Sequence, residues 1–384
     1  MTKYLSLFAL CCLVLTNSLA QEPSIALPTE WYLNYLHNEG PTAPEGAQLA
    51  IGIITPNGQA TIGFCRNGAQ LEPCDNEEAH FEIGSVTKLF TASMLGQLIE
   101  EGKLAVNDPA QNHLPEDWPV PQWERKKEQV PITLEHLATH HSGLQRNPLQ
   151  MEYLMQNEAD PWSLYGQDQL LYDLREAKLK KRPGTKFSYS NVGFTLLGQV
   201  LSAVEEKNFD DLVSERIFAP LGMTSSVVGM ANLPEDQIGL TGFDRDGTAV
   251  PNWTFNIAAP AGGIISNSRD MLRFLSWNMG LDSSLNRAAA DRCHAILEKG
   301  PSNGTRFSYT GLGWLVVDTE LFPGRFPYQD QLLWHDGGTS GFQSYLGFLK
   351  EQQLGVVVLT NFRSPKWDLI HFGEALLAKL VEMQ

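Results

Sequence analysis

The sequence predicts an α+β fold: one antiparallel sheet built from both ends of the chain, flanked by helices, with a mostly helical region inserted between its halves. Three observations predict it. The Ile-rich run QLAIGIIT at 48–55 is followed by the turn signal Pro56-Asn57-Gly58 and a returning run at 59–65, which together read as a hairpin. Two more apolar runs, 342–349 and 354–362, flank a short polar turn near the C-terminus as a second hairpin. Between about 103 and 300 the apolar residues recur mostly at helical spacing.

In chain order, the first element is MTKYLSLFALCCLVLTNSLA. Lys3 forms a short positive region, 5–15 is apolar but too short to span a bilayer, and Ser18 and Ala20 are small residues at a cleavage site. Residues 1–20 therefore read as a signal peptide cut after Ala20, which places the mature chain in the periplasm or outside the cell. Cys11 and Cys12 lack the preceding small residue that a lipidated cysteine needs. No later apolar run approaches the roughly 20 residues of a membrane span.

Residues 21–384 read as one domain, with a sheet region at about 21–102 plus 301–384 and a helical region at about 103–300. After the first hairpin, Leu89, Met94, Leu95, Leu98 and Ile99 mark a helix that Gly102 ends, so Ser85 falls at or near its N-terminus. Thr133 can cap the helix ITLEHLATHHSGL, with Ser142-Gly143 as its stop. Helices follow at 192–204, at 208–218 and from about Ser268, then a strand at 311–319 and a closing amphipathic helix at 367–383.

Composition narrows the function. The chain has 384 residues, 42% hydrophobic and 19% charged, and carries no low-complexity tract, which excludes disorder and solenoids. Its formal charge of −16 becomes −17 once Lys3 is removed, a surface that repels phosphate backbones and anionic lipid; nucleic acid is not an expected partner. Signal cleavage leaves Cys65, Cys74 and Cys293. In an oxidising compartment Cys65 and Cys74 can bridge a short loop, worth about 2.5–3 kcal/mol in the loop-entropy model, with Cys293 left over. No CxxC or HExxH spacing points to a metal.

The chemistry begins at HFEIGSVTKLF, 80–90. Ser85 and Lys88 stand three apart, so a helical turn puts the amine beside the hydroxyl, and a serine needs such a base to act as nucleophile. Keeping a lysine neutral at pH 7 costs roughly 4–5 kcal/mol from its reference value, so the amine has to be buried. About one Ser-x-x-Lys is expected by chance in a chain this long, and an exposed lysine on a first helical turn accounts for the motif equally well. Two further stretches shift the balance. PGTKFSYSNVGF brings Tyr189-Ser190-Asn191 to the start of a helix: a phenol to relay protons and an amide to hold the lysine and a substrate carbonyl. The same Tyr-x-Asn spacing at Tyr32-Leu33-Asn34 sits in an amphipathic segment and reads as packing. WHDGGTSGFQSYLGF, from Trp334, offers glycines that let a strand backbone approach a substrate, and His335, a donor and a carrier of positive charge, although a histidine satisfied inside a sheet is the commoner case.

Ser-x-x-Lys, Tyr-x-Asn and a His-x-Gly strand in this order resemble the serine penicillin-recognising enzymes, specifically the class C β-lactamase group of β-lactamases, D-alanyl-D-alanine peptidases, D-aminopeptidases and esterases. The resemblance spans nearly the whole mature chain and includes TLEHLATHHSGL, PGTKFSYSNVGFTLLGQVL, IFAPLGMTSS and AGGIISNSRDMLRFL. It implies a β-lactamase/transpeptidase-like fold, Ser85 as the acylated nucleophile, and Lys88 and Tyr189 sharing the proton transfers. It further implies Asn191 against the substrate amide, His335 in the third motif's cationic position, and the N–H groups of Ser85 and Gly338 holding the oxyanion. It implies no metal and no cofactor. The Gly-x-Ser-x-Gly elbow of the α/β-hydrolases is absent around Ser85.

The sequence departs from that pattern at His335-Asp336-Gly337, where the family usually has Lys-Thr-Gly or His-Thr-Gly. The threonine helps hold the carboxylate common to penicillins and terminal D-alanine, and an aspartate there repels it unless it is paired or turned away. The expected activity is acyl hydrolysis of β-lactams or D-Ala-type wall peptides through an acyl-enzyme. Asp336 gives weight to the alternatives, a carboxylesterase or a D-aminopeptidase-like enzyme. A silent binding or sensor module on the same fold would have lost Ser85, Lys88 or Tyr189, and all three are present.

Overall fold

Strands Gln48–Thr55 and Gly58–Asn67 pair antiparallel, with Thr55 opposite Gly58, so the hairpin turns where the Pro-Asn-Gly signal puts it. The computed structural model describes residues 29–384 apart from 39, 41, 69, 235, 236, 238, 302–305 and 365–366. The expected signal peptide lies outside the described residues.

Among the described residues nine strands form the main sheet, in the order Glu298–Lys299, Tyr309–Thr310, Leu315–Asp318, Gln331–Gly338, Gln343–Leu349, Leu354–Thr360, Gln48–Thr55, Gly58–Asn67 and Gln70–Cys74. Every neighbouring pair is antiparallel. The two ends of the chain meet at Gln48–Thr55 and Leu354–Thr360, where Ile51 lies opposite Val358. Cys65 and Cys74 are joined by a disulfide that ties the last two strands together, and Cys293 is a buried free thiol.

Side chains alternate between the two faces of a strand. Ala50, Ile54, Leu346, Phe348, Val357 and Leu359 enter one core, while Leu49, Ile51, Ile53, Tyr345, Val356 and Val358 enter another. The helix Ser268–Asn278 covers the first face and the C-terminal helix Leu369–Glu382 the second. Both faces are therefore dry, each buried Val, Leu or Ile contributing about 1.5–3 kcal/mol, and the strands read as continuous apolar runs. Tyr32, in the helix Thr29–Asn38, is fully buried in the second core with its ring 5.9 Å from Phe64, so that Tyr-x-Asn is packing.

The element that carries the site is the helix Thr87–Glu100. Its side chains from Thr87 to Leu98 are all buried, which makes it a central helix apolar on every side. The helices Asn191–Glu205 and Arg287–His294 pack on it, and Gly102, at φ +72°, ends its last turn. Two elements differ from the sequence reading. Thr133 caps its helix through a reciprocal pair of bonds with His136, but the helix covers only Leu134–Ala138 and stops well short of Ser142-Gly143. Thr139 Oγ1 turns back to Glu135 O at 2.8 Å, and His140 takes a left-handed φ of +62° that presents its carbonyl to Ser188 N–H at 2.7 Å. The strand expected at 311–319 is Leu315–Asp318 alone, because Gly313, at φ +76°, makes a turn ahead of it. Among the described residues no helix is long and apolar enough to cross a membrane.

Candidate active site

Ser85 sits in the one-turn 3-10 helix Gly84–Val86, immediately ahead of the central helix. Two glycines bring the strand Gln331–Gly338 against it. Gly84 has φ +49°, and a Cβ on it would lie 2.7 Å from Gly338 N. A Cβ on Gly337 would lie 2.1 Å from Ile83 O and 3.0 Å from Ser85 N. Ser344 Oγ, on the next strand, donates to Ile83 O at 2.7 Å and fixes the same segment. The amides of Ser85 and Gly338 are thus held in one small region of backbone.

Lys88, one turn along the central helix, is completely buried. Its Nζ stands 3.0 Å from Ser85 Oγ and donates to Ala261 O at 2.6 Å. The aromatic rings of Tyr189 and Phe194 lie 5.0 and 5.7 Å from it. Burial first, and the Arg146 guanidinium second, hold its pKa well below the ordinary lysine value, against a weaker opposite pull from Asp336. The sequence reading assigned the lysine to the Asn191 amide; instead Asn191 Nδ2 donates to Asn147 Oδ1 at 2.7 Å and Ala261 supplies the second partner.

Tyr189 arrives from the residues before the helix Asn191–Glu205. Ser190 caps that helix, accepting from Gly193 N–H at 2.8 Å and donating to Gln145 O at 2.7 Å, and so fixes the phenol's position. The Tyr189 hydroxyl hydrogen-bonds with Ser85, and burial pushes its pKa above the ordinary tyrosine value. Its ring is enclosed: His140 stacks on it at 4.2 Å, the Arg146 guanidinium lies 4.6 Å away and His335 6.2 Å. Ser190 N–H donates to His140 Nδ1 at 3.1 Å, which places the His140 proton on Nε2.

His335 corrects an expectation. It was read as the cationic member of the third motif, yet it is buried within the strand Gln331–Gly338, and burial with Lys88 nearby lowers its pKa to about 3. It is neutral at pH 7. Its Nδ1 lies 2.6 Å from the Asp336 carbonyl, an acceptor only, so Nδ1 carries the hydrogen and Nε2 is left without a partner among the described residues. Asp336 is half-buried on the cleft wall, with no cation within ion-pair distance among the described residues. Burial raises its pKa, and Arg306 is the largest opposing influence.

The cleft over these groups has a volume of about 480 Å³ and is lined by Ser85, Tyr189, Asn191, Asp336, Gly337 and Gly338. One wall is aromatic, with Trp162 stacked on Phe255 at 5.3 Å and Trp253 beside both. Arg146, Arg306 and Arg363 also reach it. None of these was singled out from the sequence. Arg146, four residues from Ser142 in a Gly-Leu-Gln-Arg loop, carried the only local signal, a lone basic residue among turn residues.

The described chain therefore holds a Ser–Lys–Tyr cluster built on a buried lysine at a helix start, beside a glycine-rich sheet edge, in a fold of two helical layers around an antiparallel sheet. The Beta-lactamase family model matches residues 57–377, and the chain belongs to that family of serine hydrolases. It is 28% identical over 328 residues to the D-alanyl-D-alanine-carboxypeptidase/endopeptidase AmpH of Escherichia coli strain K12, covering 83% of this chain and 80% of that one. It is 27% identical over 333 residues to a beta-lactamase of Pseudomonas fluorescens, covering 79% and 85%. The fold is shared with a beta-lactamase/D-alanine carboxypeptidase from Yersinia pestis solved with citrate, at a TM-score of 0.72 and 23% identity over 90% of this chain and 95% of that one.

Proposed function

We propose that the protein is an exported serine acyl hydrolase that opens β-lactam rings or cleaves D-alanyl peptide bonds through an acyl-enzyme on Ser85. The observation that carries this reading is the 3.0 Å approach of a fully buried Lys88 Nζ to Ser85 Oγ, with burial acting to keep that amine neutral. Tyr189, its pKa raised, keeps its proton at rest, so Lys88 is the first base and Tyr189 the relay. Ser85 Oγ bonds to the substrate carbonyl carbon as its proton passes to Lys88 Nζ. The oxyanion forms against the N–H groups of Ser85 and Gly338. The proton then moves by way of Tyr189 to the leaving nitrogen as the C–N bond breaks. Water attacks the resulting ester by the same route, its proton finally returning to Ser85 Oγ. The names of the relatives, a D-alanyl-D-alanine carboxypeptidase/endopeptidase and a beta-lactamase, support this substrate class, and the leader at 1–20 supports export.

Mass spectrometry of the intact protein after exposure to a penicillin and to a D-alanyl-D-alanine peptide tests it. An adduct of the acyl mass is expected on wild type and not on Ser85→Ala. A folded wild type that gives neither adduct nor turnover with both substrates would sink the reading. Asp336 favours a second one. A carboxylate on the cleft wall repels the substrate's own carboxylate, so an ester or an amine-bearing D-aminoacyl substrate suits the same machinery. Faster turnover of a neutral p-nitrophenyl ester or a D-aminoacyl anilide than of either carboxylate substrate decides for it.

A further inference from the structure

Glu82 is buried, 2% exposed, three residues before Ser85, and none of the steps above uses it. It ends the short strand Phe81–Glu82, held by pairing with Ile265. Its carboxyl reaches two separate walls of the cleft. Oε1 accepts from Trp253 N–H at 2.9 Å, in the aromatic wall. The Thr339 hydroxyl and the Asn252 side-chain amide also face the carboxyl; both polar atoms are buried, and among the described residues neither Thr339 Oγ1 nor Asn252 Nδ2 is within hydrogen-bond geometry of any partner, Glu82 included, so both donors are unspent. Thr339 directly follows Gly338, and its carbonyl accepts from Arg363 Nη1 at 3.0 Å, an arginine that lines the cleft. Among the described residues no cation compensates Glu82. The charged group that faces it is Asp160, which holds Thr254 N–H at 3.0 Å through both carboxylate oxygens.

We propose that Glu82 is a positioning residue for acyl transfer: as a carboxylate it holds Trp253 N–H and draws in the unspent donors of Thr339 and Asn252, and so clamps the aromatic wall and the Gly338–Thr339 edge around Ser85. A carboxylate offers only acceptors to these three donors. A protonated acid, or a glutamine, loses the charge that strengthens these bonds and turns one of its positions into a donor, which loosens its hold on them. Burial, with Asp160 adding to it, raises the Glu82 pKa to about 7, so the clamp closes as pH rises through neutrality. The native state then holds that proton more tightly than the unfolded chain does, and ionising Glu82 costs stability between pH 4.5 and about 7. The clamp is a strain accepted at the site, which separates it from an ordinary structural hydrogen bond.

The proposal rests on Ser85 as the nucleophile, and the test keeps the two apart. Labelling by a serine-directed fluorophosphonate is timed from pH 5.5 to 8.5 for wild type and Glu82→Gln, with Ser85→Ala as blank. The ratio of wild-type to variant rate is expected to rise from about one to roughly tenfold, the order of loss a slightly misplaced reacting group gives, with its midpoint near 7. Any limb due to Lys88 is common to both proteins and cancels in the ratio. Glu82→Gln is also expected to melt at a higher temperature than wild type at pH 8.5. A ratio independent of pH, or a variant less stable at pH 8.5, overturns the proposal. A second measurement needs no Glu82 variant: the emission of wild type minus that of Trp253→Phe should step near pH 7, and the absence of a step also overturns it. A wild type that labels at no pH counts against Ser85, and the emission step then decides Glu82 on its own.

Discussion

Replacing Lys88 by methionine tests the centre of the site, because stability and activity should move in opposite directions. In water a lysine at pH 7 is charged; to stay neutral it forgoes roughly 3.5 pH units of protonation, about 4–5 kcal/mol. The fold carries up to that penalty to keep Nζ unprotonated in a fully buried position. Methionine fills nearly the same space and removes the penalty, but leaves the Ala261 carbonyl without its 2.6 Å donor, a loss of about 1–3 kcal/mol. The balance is a gain of up to about 1–4 kcal/mol at pH 7. The sign follows from linkage. A lysine whose folded pKa lies below its unfolded value binds fewer protons in the native state, so wild-type stability rises with pH up to the unfolded value of 10.5. The advantage of Lys88→Met should therefore shrink between pH 7 and pH 9.5, as urea unfolding at the two pH values will measure. Loss of a general base should meanwhile slow acylation by about 10²–10⁴, read from the burst phase. A variant less stable than wild type at pH 7 would mean that Lys88 is charged and paired, and a rate within tenfold of wild type would mean that another group is the base.

Two further outcomes follow from the geometry. Gly84→Ala places a methyl 2.7 Å from Gly338 N on a residue at φ +49°, so it should lower kcat by about 10²–10³ with a smaller change in KM, the mark of a lost oxyanion donor; an unchanged kcat in a folded variant removes Gly338 from that role. Asp336→Thr should raise kcat/KM for a carboxylate-bearing substrate by about tenfold, near 1.4 kcal/mol, and leave a neutral ester unchanged, measured side by side; an equal effect on both would show that Asp336 does not read substrate charge.

The elements that the sequence revealed are those whose causes are local. The Pro-Asn-Gly turn, the runs buried on both faces, and the three-residue spacing of Ser85 and Lys88 each depend on a handful of neighbours. The Thr133 cap is local as well, and it forms. What the sequence could not give depends on partners far along the chain. The helix after Thr133 stops early because the His140 carbonyl meets Ser188, nearly fifty residues away. Lys88 takes its second bond from Ala261, 173 residues on, where local reasoning offered Asn191. Glu82 carried no signal in the sequence because the groups facing it, Trp253 and Thr339, enter from separate loops. Tyr189 could be told from Tyr32 only by company: both are Tyr-x-Asn, but one meets a lysine and a serine, the other Phe64.

The charge on His335 is the most instructive miss, because it follows from the feature that makes Lys88 usable. Desolvation is the largest influence on both groups, and both are enclosed in the same apolar surroundings around Tyr189. The desolvation that pulls a lysine's pKa well down also pulls down that of a neighbouring histidine, whose ordinary value is already near 6.5, to about 3. A third motif with lysine would contribute a second amine to that competition; with histidine it contributes an uncharged ring whose Nε2 lone pair is open. Burial thus favours the uncharged forms of Lys88, Tyr189 and His335 together, and the positive field that adds to it at Lys88 comes from Arg146 at the cluster's edge. Charge develops on this cluster only when Ser85 attacks, the oxyanion facing the amides of Ser85 and Gly338 and the proton resting on Lys88. Fixed dipoles and a transient ammonium thereby supply what a permanent cation would supply elsewhere, and they do so without binding the ground state more tightly than the transition state.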